Sequence, residues 1–319
     1  MNPCGTDQDL PSKLGLCTTD QSGGVTGPVA IIGVGNMGGA MARRLLSQAW
    51  SVRVCDIDPV KTEVLERFGA LANVTPAQAA MNTVVTMVVV VDATQTEDVL
   101  FGADGVASVL QPGQTVLLCP TLAPADVARF AQRLQNLGVA VLDAPMSGGP
   151  QRAQNGSMSL MLAGDSAVLA RHQRLLETLA SQRFVISERV GDAARTKLVN
   201  NLAAGINLVA AAEVLALAQK MGLDLTRTLE VIERSSGQSW IGSDRMRRAV
   251  AGDFAPRAHM TLLQKDTRLA LDAAQAVGFV GPLGAAARDV FAHASAGGMA
   301  DQDDAALFKW LSAATDSPN

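Results

Sequence analysis

The 319-residue chain contains no tyrosine, and aromatic residues make up only 3% of it, so its core must be aliphatic. Cysteine is scarce too. Cys4, Cys17, Cys55 and Cys119 show no CxxC spacing, which argues against structural zinc and for a reduced, cytoplasmic protein. Histidine occurs only three times, as His172, His259 and His293, and never in a glycine-rich loop after a strand. Excess positive charge is missing: the net charge is −4 and the pI near 5.4, so nucleic acid is not an expected partner. The densest basic cluster, Arg245-Met-Arg-Arg248, reads as a solvated helix face. Long apolar runs are missing as well. The longest, Val84–Val91, is too short to span a bilayer and reads as a buried parallel strand, so no membrane partner is expected. Residues 1–27 lack the apolar stretch of a signal peptide and read as a flexible leader. The acidic run Asp301-Gln-Asp-Asp304 lacks the glycine and terminal glutamate of a calcium loop; it reads as a helix-capping turn, and no metal site is expected.

What is present is concentrated near the start. The apolar stretch Pro28-Val-Ala-Ile-Ile leads into Gly33-Val-Gly35-Asn36-Met37-Gly38, and a helical pattern follows at once. Gly33 permits a tight turn, Gly35 lets backbone approach a pyrophosphate, and Gly38 lets the helix pack closely on the sheet. Helix N-terminal amides then face the phosphate charge. A second short strand, Val52-Arg-Val-Cys-Asp56, ends in a carboxylate close to the ~20-residue offset at which an acid meets the ribose. Such a carboxylate accepts bonds from both ribose hydroxyls and repels a 2′-phosphate. With no arginine before Arg67, NAD is expected rather than NADP. The plainer alternative for Asp56 is an exposed strand-end residue.

This length favours two domains. Strand candidates at 29–33, 52–56, 83–91, 115–119, 139–142, 158–163 and 184–187 alternate with helical patterns such as Ala125–Leu137. That alternation predicts an α/β fold with a Rossmann-type, doubly wound parallel sheet over 28–190. The rhythm then changes. Asp192–Met221 reads as one long helix, apolar nearly all round and therefore buried by other protein. Helical segments continue to Ala314, so 191–319 is expected to be an all-α second domain entered through a long interdomain helix. That helix also offers a surface for a homo-oligomer, dimer or tetramer.

Three places at the strand ends could carry chemistry. In Cys119-Pro-Thr121-Leu-Ala-Pro124, Thr121 is either the N-cap of the following helix or a contact for the nicotinamide. In Asp143-Ala-Pro-Met-Ser147-Gly148-Gly149-Pro150, a hydroxyl and several backbone amides could cradle a carboxylate, or the segment is an ordinary glycine-rich turn. Lys197 is the third. Asn200 and Asn201 follow it at i+3 and i+4 and share its helix face, among apolar neighbours. A helical lysine is usually a surface residue. A buried one has a lowered pKa and suits proton exchange with an alcohol.

Four segments in order carry a resemblance: Gly-Val-Gly-Asn-Met-Gly at 33–38, Asp-Ala-Pro-Met-Ser-Gly-Gly at 143–149, Lys-Leu-Val-Asn-Asn at 197–201, and Lys265-Asp266. The chain resembles the β-hydroxyacid dehydrogenase family of the 3-hydroxyisobutyrate dehydrogenase type over about 28–312. The resemblance implies a dehydrogenase of a small hydroxy acid, with Lys197 as catalytic acid/base and Asn201 holding the substrate hydroxyl and carboxylate. Ser147 and Gly148 would bind the substrate carboxylate beside Gly149, and Thr121 and Lys265 would close over the nicotinamide half of NAD. Within the family, Ser235-Ser-Gly-Gln-Ser-Trp240, Gly252-Asp-Phe254 and Gln302-Asp-Asp-Ala-Ala306 look most like the subgroup oxidising L-threonate at C2. Other members act on 3-hydroxyisobutyrate or tartronate semialdehyde. A non-catalytic NAD-binding regulator and an imine reductase are the rival classes. Two positions depart from the pattern: Ala193, where glycine is usual four residues before the lysine, and Cys119-Pro-Thr121, where a Ser- or Thr-rich run is usual.

Overall fold

A computed structural model of the chain describes residues 18–19 and 25–314. Cys4, Cys17 and most of the leader expected over 1–27 lie outside the described residues. Within that stretch β1 (Thr18–Thr19) pairs antiparallel with β2 (Val25–Thr26).

From Val29 strands and helices alternate. The first half comprises β3 (Val29–Ile32), α1 (Asn36–Ser47), β4 (Val52–Cys55), α2 (Pro59–Glu66), β5 (Leu71–Ala72), α3 (Pro76–Ala80), β6 (Val85–Val88) and α4 (Ala93–Phe101). Then come β7 (Thr115–Leu118), α5 (Pro124–Gln135), β8 (Ala140–Asp143), β9 (Met146–Ser147), α6 (Gly149–Asn155), β10 (Met158–Ala163), α7 (Ser166–Arg171), α8 (Gln173–Leu179) and β11 (Ala180–Ser187). Proline at the first position of α2, α3 and α5 starts those helices where its missing N–H costs nothing.

The main sheet runs β11-β10-β8-β7-β6-β3-β4-β5. β3 pairs in parallel with β4 on one side and β6 on the other, so the winding reverses there. Ligands in such sheets bind beyond the strand ends at that switch point. Period-two alternation sorts the strand residues into two layers. Val29 and Ile31 join Val54, Met87 and Leu117 under Met41 and Leu45 of α1 and Leu179 of α8. Ala30 and Ile32 join Val88, Val116 and Leu118 under Val127, Phe130 and Leu134 of α5. Each fully buried Phe130- or Leu45-sized side chain contributes roughly 1.5–3 kcal/mol.

The Rossmann-type architecture expected from the sequence is present, with differences in detail. The sheet is mostly parallel, but β10 runs antiparallel to β8 and β9. The apolar run 83–91 yields a strand only over Val85–Val88, because Asp92 already caps α4. β5 and β9 were not anticipated; each is two residues long, too short to show a period. β11 begins at Ala180, four residues before its apolar stretch.

Beyond the sheet, α9 (Asp192–Lys220), α10 (Leu225–Glu233), α11 (Trp240–Val250), α12 (Met260–Ala276), α13 (Pro282–Ala294) and α14 (Leu307–Ala314) form the helical part. Leu208, Ala212 and Leu215 of α9 sit in its core with Met246, Met260, Phe291 and Leu307. By length and composition α9 could cross a membrane; here one face of its apolar stretch, with Leu208, Ala212 and Leu215, packs in this core. It is not wholly buried, however: Val199 and Leu217 are exposed at 71% and 58%. The helix start packs on the sheet instead, with Ala193 against Met161 and Ala163, so the methyl that replaces the family's glycine is wholly buried.

The cluster at 245–248 is not a solvated face. Arg248 is 7% exposed and bonds Asp303 at 2.8 Å, while Arg245 bonds Asp304 at 2.6 Å. Only Arg247 faces out, against Glu233. Charge spacing along a helix cannot reveal that a segment 55 residues away supplies buried carboxylates. Asp303 does cap the following turn, accepting the N–H of Ala305 at 3.0 Å.

Candidate active site

The turn after β3 is defined by steric exclusion. Gly33 has φ +90°, and a Cβ there would lie 2.5 Å from the Val89 carbonyl oxygen. A Cβ on Gly38 would lie 2.0 Å from the Gly33 carbonyl oxygen and 3.5 Å from Ile31. Gly35 is different: a Cβ there meets nothing within 4 Å, so the space above its backbone is open. Gly35 is also the N-cap of α1, and no side chain among the described residues caps the helix. Its first amides are thus available to an anion, as a pyrophosphate requires. A cavity of about 330 Å³ opens here, lined by Gly35, Asn36, Arg43, Lys61 and Pro150 among others. These residues fit a dinucleotide. Met37 leans on the sheet core, whereas Asn36 is exposed and donates from Nδ2 to the Arg257 carbonyl at 3.3 Å, tying the turn to the helical part.

Asp56 follows β4 with its carboxylate largely buried, which removes the reading of a merely exposed strand end. Oδ2 accepts the Val34 N–H at 2.7 Å and Oδ1 the Asp58 N–H at 3.0 Å, so the acid braces the glycine turn. Each oxygen retains a lone pair for a ribose hydroxyl. Lys61 was not singled out by the sequence, yet the first turns of α2 bring its Nζ to 3.5 Å from Asp56 Oδ1. The signal was there: a lysine five residues after the acid, just past the N-cap Asp58.

Thr121 is not the cap of α5. That position is Ala123, with no side-chain bond, and Pro124 opens the helix. The Thr121 carbonyl instead accepts a bond from Lys265 Nζ at 2.9 Å, across 144 residues. Lys265 also meets Asp266 Oδ1 at 2.8 Å. Cys119 is wholly buried, and desolvation with the nearby Asp143 charge pushes its thiol up to about 12; it is inert.

Ser147 lies in β9, paired opposite Ser159 of β10. Gly148 and Gly149 follow with φ of +121° and +75°, backbone that a side chain would strain. A Cβ on Gly149 meets nothing within 4 Å, while one on Gly148 would touch the Arg152 stem. Arg152 in turn lies over Trp240 at the start of α11, 5.1 Å from the ring centroid.

Lys197 sits five residues into α9 and is only 7% exposed. Burial pushes its amine down to about 8, partly offset by the Asp266 charge and reinforced by Lys265. Asn201, 8% exposed, shares the buried face and donates from Nδ2 to Asp266 Oδ2 at 2.6 Å. Asn200 points outward and only donates to Asn201 Oδ1, at 3.1 Å. Asp266 thus joins three elements: it holds Asn201 on α9, neutralises Lys265, which reaches the loop after β7, and acts on Lys197. The sequence marks it only as half of a Lys-Asp pair. The histidines add nothing comparable. His172 is buried, its pKa pushed down to about 4 by desolvation, and it bonds Thr115 Oγ1 at 2.8 Å inside the sheet layer.

A glycine turn open to a dinucleotide, a strand-end cradle and a buried lysine of lowered pKa together define a nicotinamide-dependent dehydrogenase. Comparison with known proteins agrees. Residues 28–187 match the family described as the NAD binding domain of 6-phosphogluconate dehydrogenase, and 191–311 match the NAD-binding family of NADP-dependent 3-hydroxyisobutyrate dehydrogenase. The chain is 36% identical to L-threonate dehydrogenase of Cupriavidus necator over 284 residues, covering 88% of this chain and 95% of that relative. It is 32% identical to 2-hydroxy-3-oxopropionate reductase of Escherichia coli K12, covering 89% and 96%. A solved structure of 3-hydroxyisobutyrate dehydrogenase from Salmonella typhimurium superposes with TM-score 0.84 at 35% identity, covering 89% of this chain and 99% of that one. The chain belongs to the β-hydroxyacid dehydrogenase family, of the 3-hydroxyisobutyrate dehydrogenase type. It is an NAD-binding oxidoreductase of CH–OH donors.

Proposed function

We propose that this enzyme oxidises the C2 hydroxyl of L-threonate to 2-oxo-tetronate with NAD, using Lys197 as base. The observation that carries the reading is the buried amine of Lys197, held near pKa 8 beside Asn201 and Asp266. Gly33–Gly38 would hold the pyrophosphate of NAD and Asp56 its ribose, Thr121 and Lys265 would close over the nicotinamide half, and the bound cofactor would supply the hydride acceptor. Ser147, Gly148 and Gly149 hold the substrate carboxylate through the hydroxyl and backbone amides. Asn201, oriented by Asp266, holds the substrate hydroxyl toward Lys197. As the C2 hydrogen leaves with its electron pair, neutral Lys197 Nζ takes the hydroxyl proton. Reduction runs the same path backward from the ammonium form.

The L-threonate assignment is supported by the relatives of that name and by the segments at 235–240, 252–254 and 302–306. Some of those residues serve the fold: Ser239 caps α11, accepting the Gly242 N–H at 3.1 Å, and Asp303 is buried against Arg248. Residues 28–190 would then bind the dinucleotide, and 191–319 would supply the substrate side and the subunit contact. A second copy covering Val199 and Leu217 of α9 accounts for their exposure; sedimentation as a monomer would remove that part.

The test is NADH absorbance with L-threonate, D-glycerate, 3-hydroxyisobutyrate and, in reverse, tartronate semialdehyde. L-threonate should give the highest kcat/KM, with NAD preferred over NADP. Preference for 3-hydroxyisobutyrate or the semialdehyde would move the substrate within the family, and NADP preference would remove the role given to Asp56. Lys197→Ala should lower kcat at least about a thousandfold and leave the NAD Kd within about twofold. Unchanged turnover would sink the mechanism.

A further inference from the structure

α9 begins at a glycine in left-handed conformation, Gly191 with φ +99°, and no local side chain caps it. Its leading amides are nonetheless satisfied, from far away. Oδ2 of Asp143, the last residue of β8, accepts the Gly191 N–H and the Ala194 N–H, each at 2.9 Å. The carboxylate is 1% exposed. Desolvation pushes its pKa up to about 6, while the amides of Ala194, Gly191 and Ala193 pull it back and the Asp192 charge adds to the rise. At neutral pH an ionised acid therefore sits against a helix N-terminus, where dipole and amides favour it.

The position of this bond gives it a consequence for the site. Asp143 opens the segment that reaches Ser147 four residues later, and Ala194 lies three residues before Lys197 on the same helix. We propose that Asp143 is a positioning residue, whose carboxylate locks the start of α9 to the end of β8 and so fixes Lys197 relative to the Ser147–Gly149 cradle. Among the described residues no other side chain bonds the first amides of α9, and Ala193 and Ala194 are buried against the sheet. A helix anchored only by packing could slide or roll by a fraction of an ångström. A misplacement of about 1 Å in a reacting group can cost on the order of a hundredfold in rate. The anchor joins the two elements that would carry the substrate's two ends, and the inference rests on that assignment of Lys197 and Ser147.

The experiment compares wild type with Asp143→Asn and Asp143→Ala as full-length proteins. Asparagine keeps the shape and one acceptor oxygen but loses the charge-assisted bond. Amide hydrogen exchange at Gly191 and Ala194 should accelerate about tenfold in Asp143→Asn and more in Asp143→Ala, with the central strands unchanged. Per folded molecule, kcat for the best hydroxy acid should fall about tenfold and about a hundredfold respectively. The NAD Kd should stay within about twofold, and the primary deuterium isotope effect on kcat should rise as the chemical step becomes limiting. A purely structural acid would lower Tm and leave kcat per folded molecule and the isotope effect untouched, which overturns the proposal. So does unchanged exchange at the two amides. If Asp143→Ala does not fold, Asp143→Asn decides alone. If the wild type oxidises none of the hydroxy acids, the substrate assignment fails, and the exchange rates alone decide whether the anchor exists.

Discussion

The glycine turn and the Lys197 cluster are built by opposite means. The turn is made of backbone: Gly38 meets Gly33 five residues back, Gly33 meets the Val89 carbonyl of the neighbouring strand end, and what matters is where a Cβ cannot go. The cluster is assembled from a distance, by bonds that span 65 residues from Asn201 to Asp266 and 144 from Thr121 to Lys265. The turn is half open, with Asn36 exposed and Gly35 half-buried beneath open space, whereas Lys197, Asn201 and Asp266 are each under a tenth exposed. A binding site for a large anion can be made from exposed amides. A proton-transfer site needs a low-dielectric setting that shifts a pKa, and only tertiary packing supplies it.

The contrast breaks most sharply at the glycines. Gly38→Ala puts a methyl 2.0 Å from the Gly33 carbonyl, so either the turn opens or the helix moves. The expected outcome is loss of NAD binding by more than a hundredfold with clear loss of stability, read by NAD titration and thermal melting. Gly35→Ala is the counterpart. Its methyl meets no protein atom, so the apo Tm should hold within a degree or two while NAD affinity drops about tenfold. Equal destabilisation by both substitutions would mean that Gly35 serves the fold rather than the cofactor.

The same contrast explains what the sequence makes legible. Gly33, Gly38 and Asp56 announce themselves because their spacing is the requirement. The alternation of strands gives the sheet, and the change of rhythm at Gly191 marks the start of the helical part. What escapes is whatever depends on a partner far along the chain. Thr121 looks like a cap because Pro124 follows, yet Ala123 holds that position and the Thr121 carbonyl serves Lys265. Arg245 and Arg248 look solvated because Asp303 and Asp304 are out of view. Lys197 and Asn201 are readable as a pair at i, i+4, but Asp266 is not, since nothing local says which helix it will face.

Asp266→Asn tests the assembled region with a smaller effect. It keeps the shape but removes the negative charge that raises the Lys197 pKa and neutralises Lys265. We expect kcat to fall about ten- to a hundredfold. With Lys197 as the proposed base, oxidation needs the neutral amine, so kcat/KM of the wild type should rise with pH through about 8. Without Asp266 the ammonium is less favoured, and that limb should move to lower pH. A limb that stays put would show that Asp266 acts on Asn201 and Lys265 alone.

The smallest effect concerns stability, and it opposes the effect on activity. A lysine whose pKa falls from 10.5 unfolded to about 8 folded destabilises the native state whenever it is charged. The sign follows from proton counting. Above 10.5 neither state is protonated and the cost vanishes; as pH falls toward 8 the unfolded chain takes up the proton first, and below 8 the full difference applies. At about 1.4 kcal/mol per pKa unit, that is on the order of 3 kcal/mol at pH 7. Lys197→Met keeps the volume and removes the charge, so the inactive variant should melt several degrees above the wild type at pH 7. At pH 9.5 the gap should shrink to about half. The glycine turn offers no such trade: a methyl at Gly38 costs both binding and fold, and one at Gly35 costs binding with no gain in stability. A variant that melts lower than the wild type at pH 7 would mean that the Asp266 charge outweighs desolvation. Lys197 would then rest as a stable ammonium, which is a poor base for an alcohol.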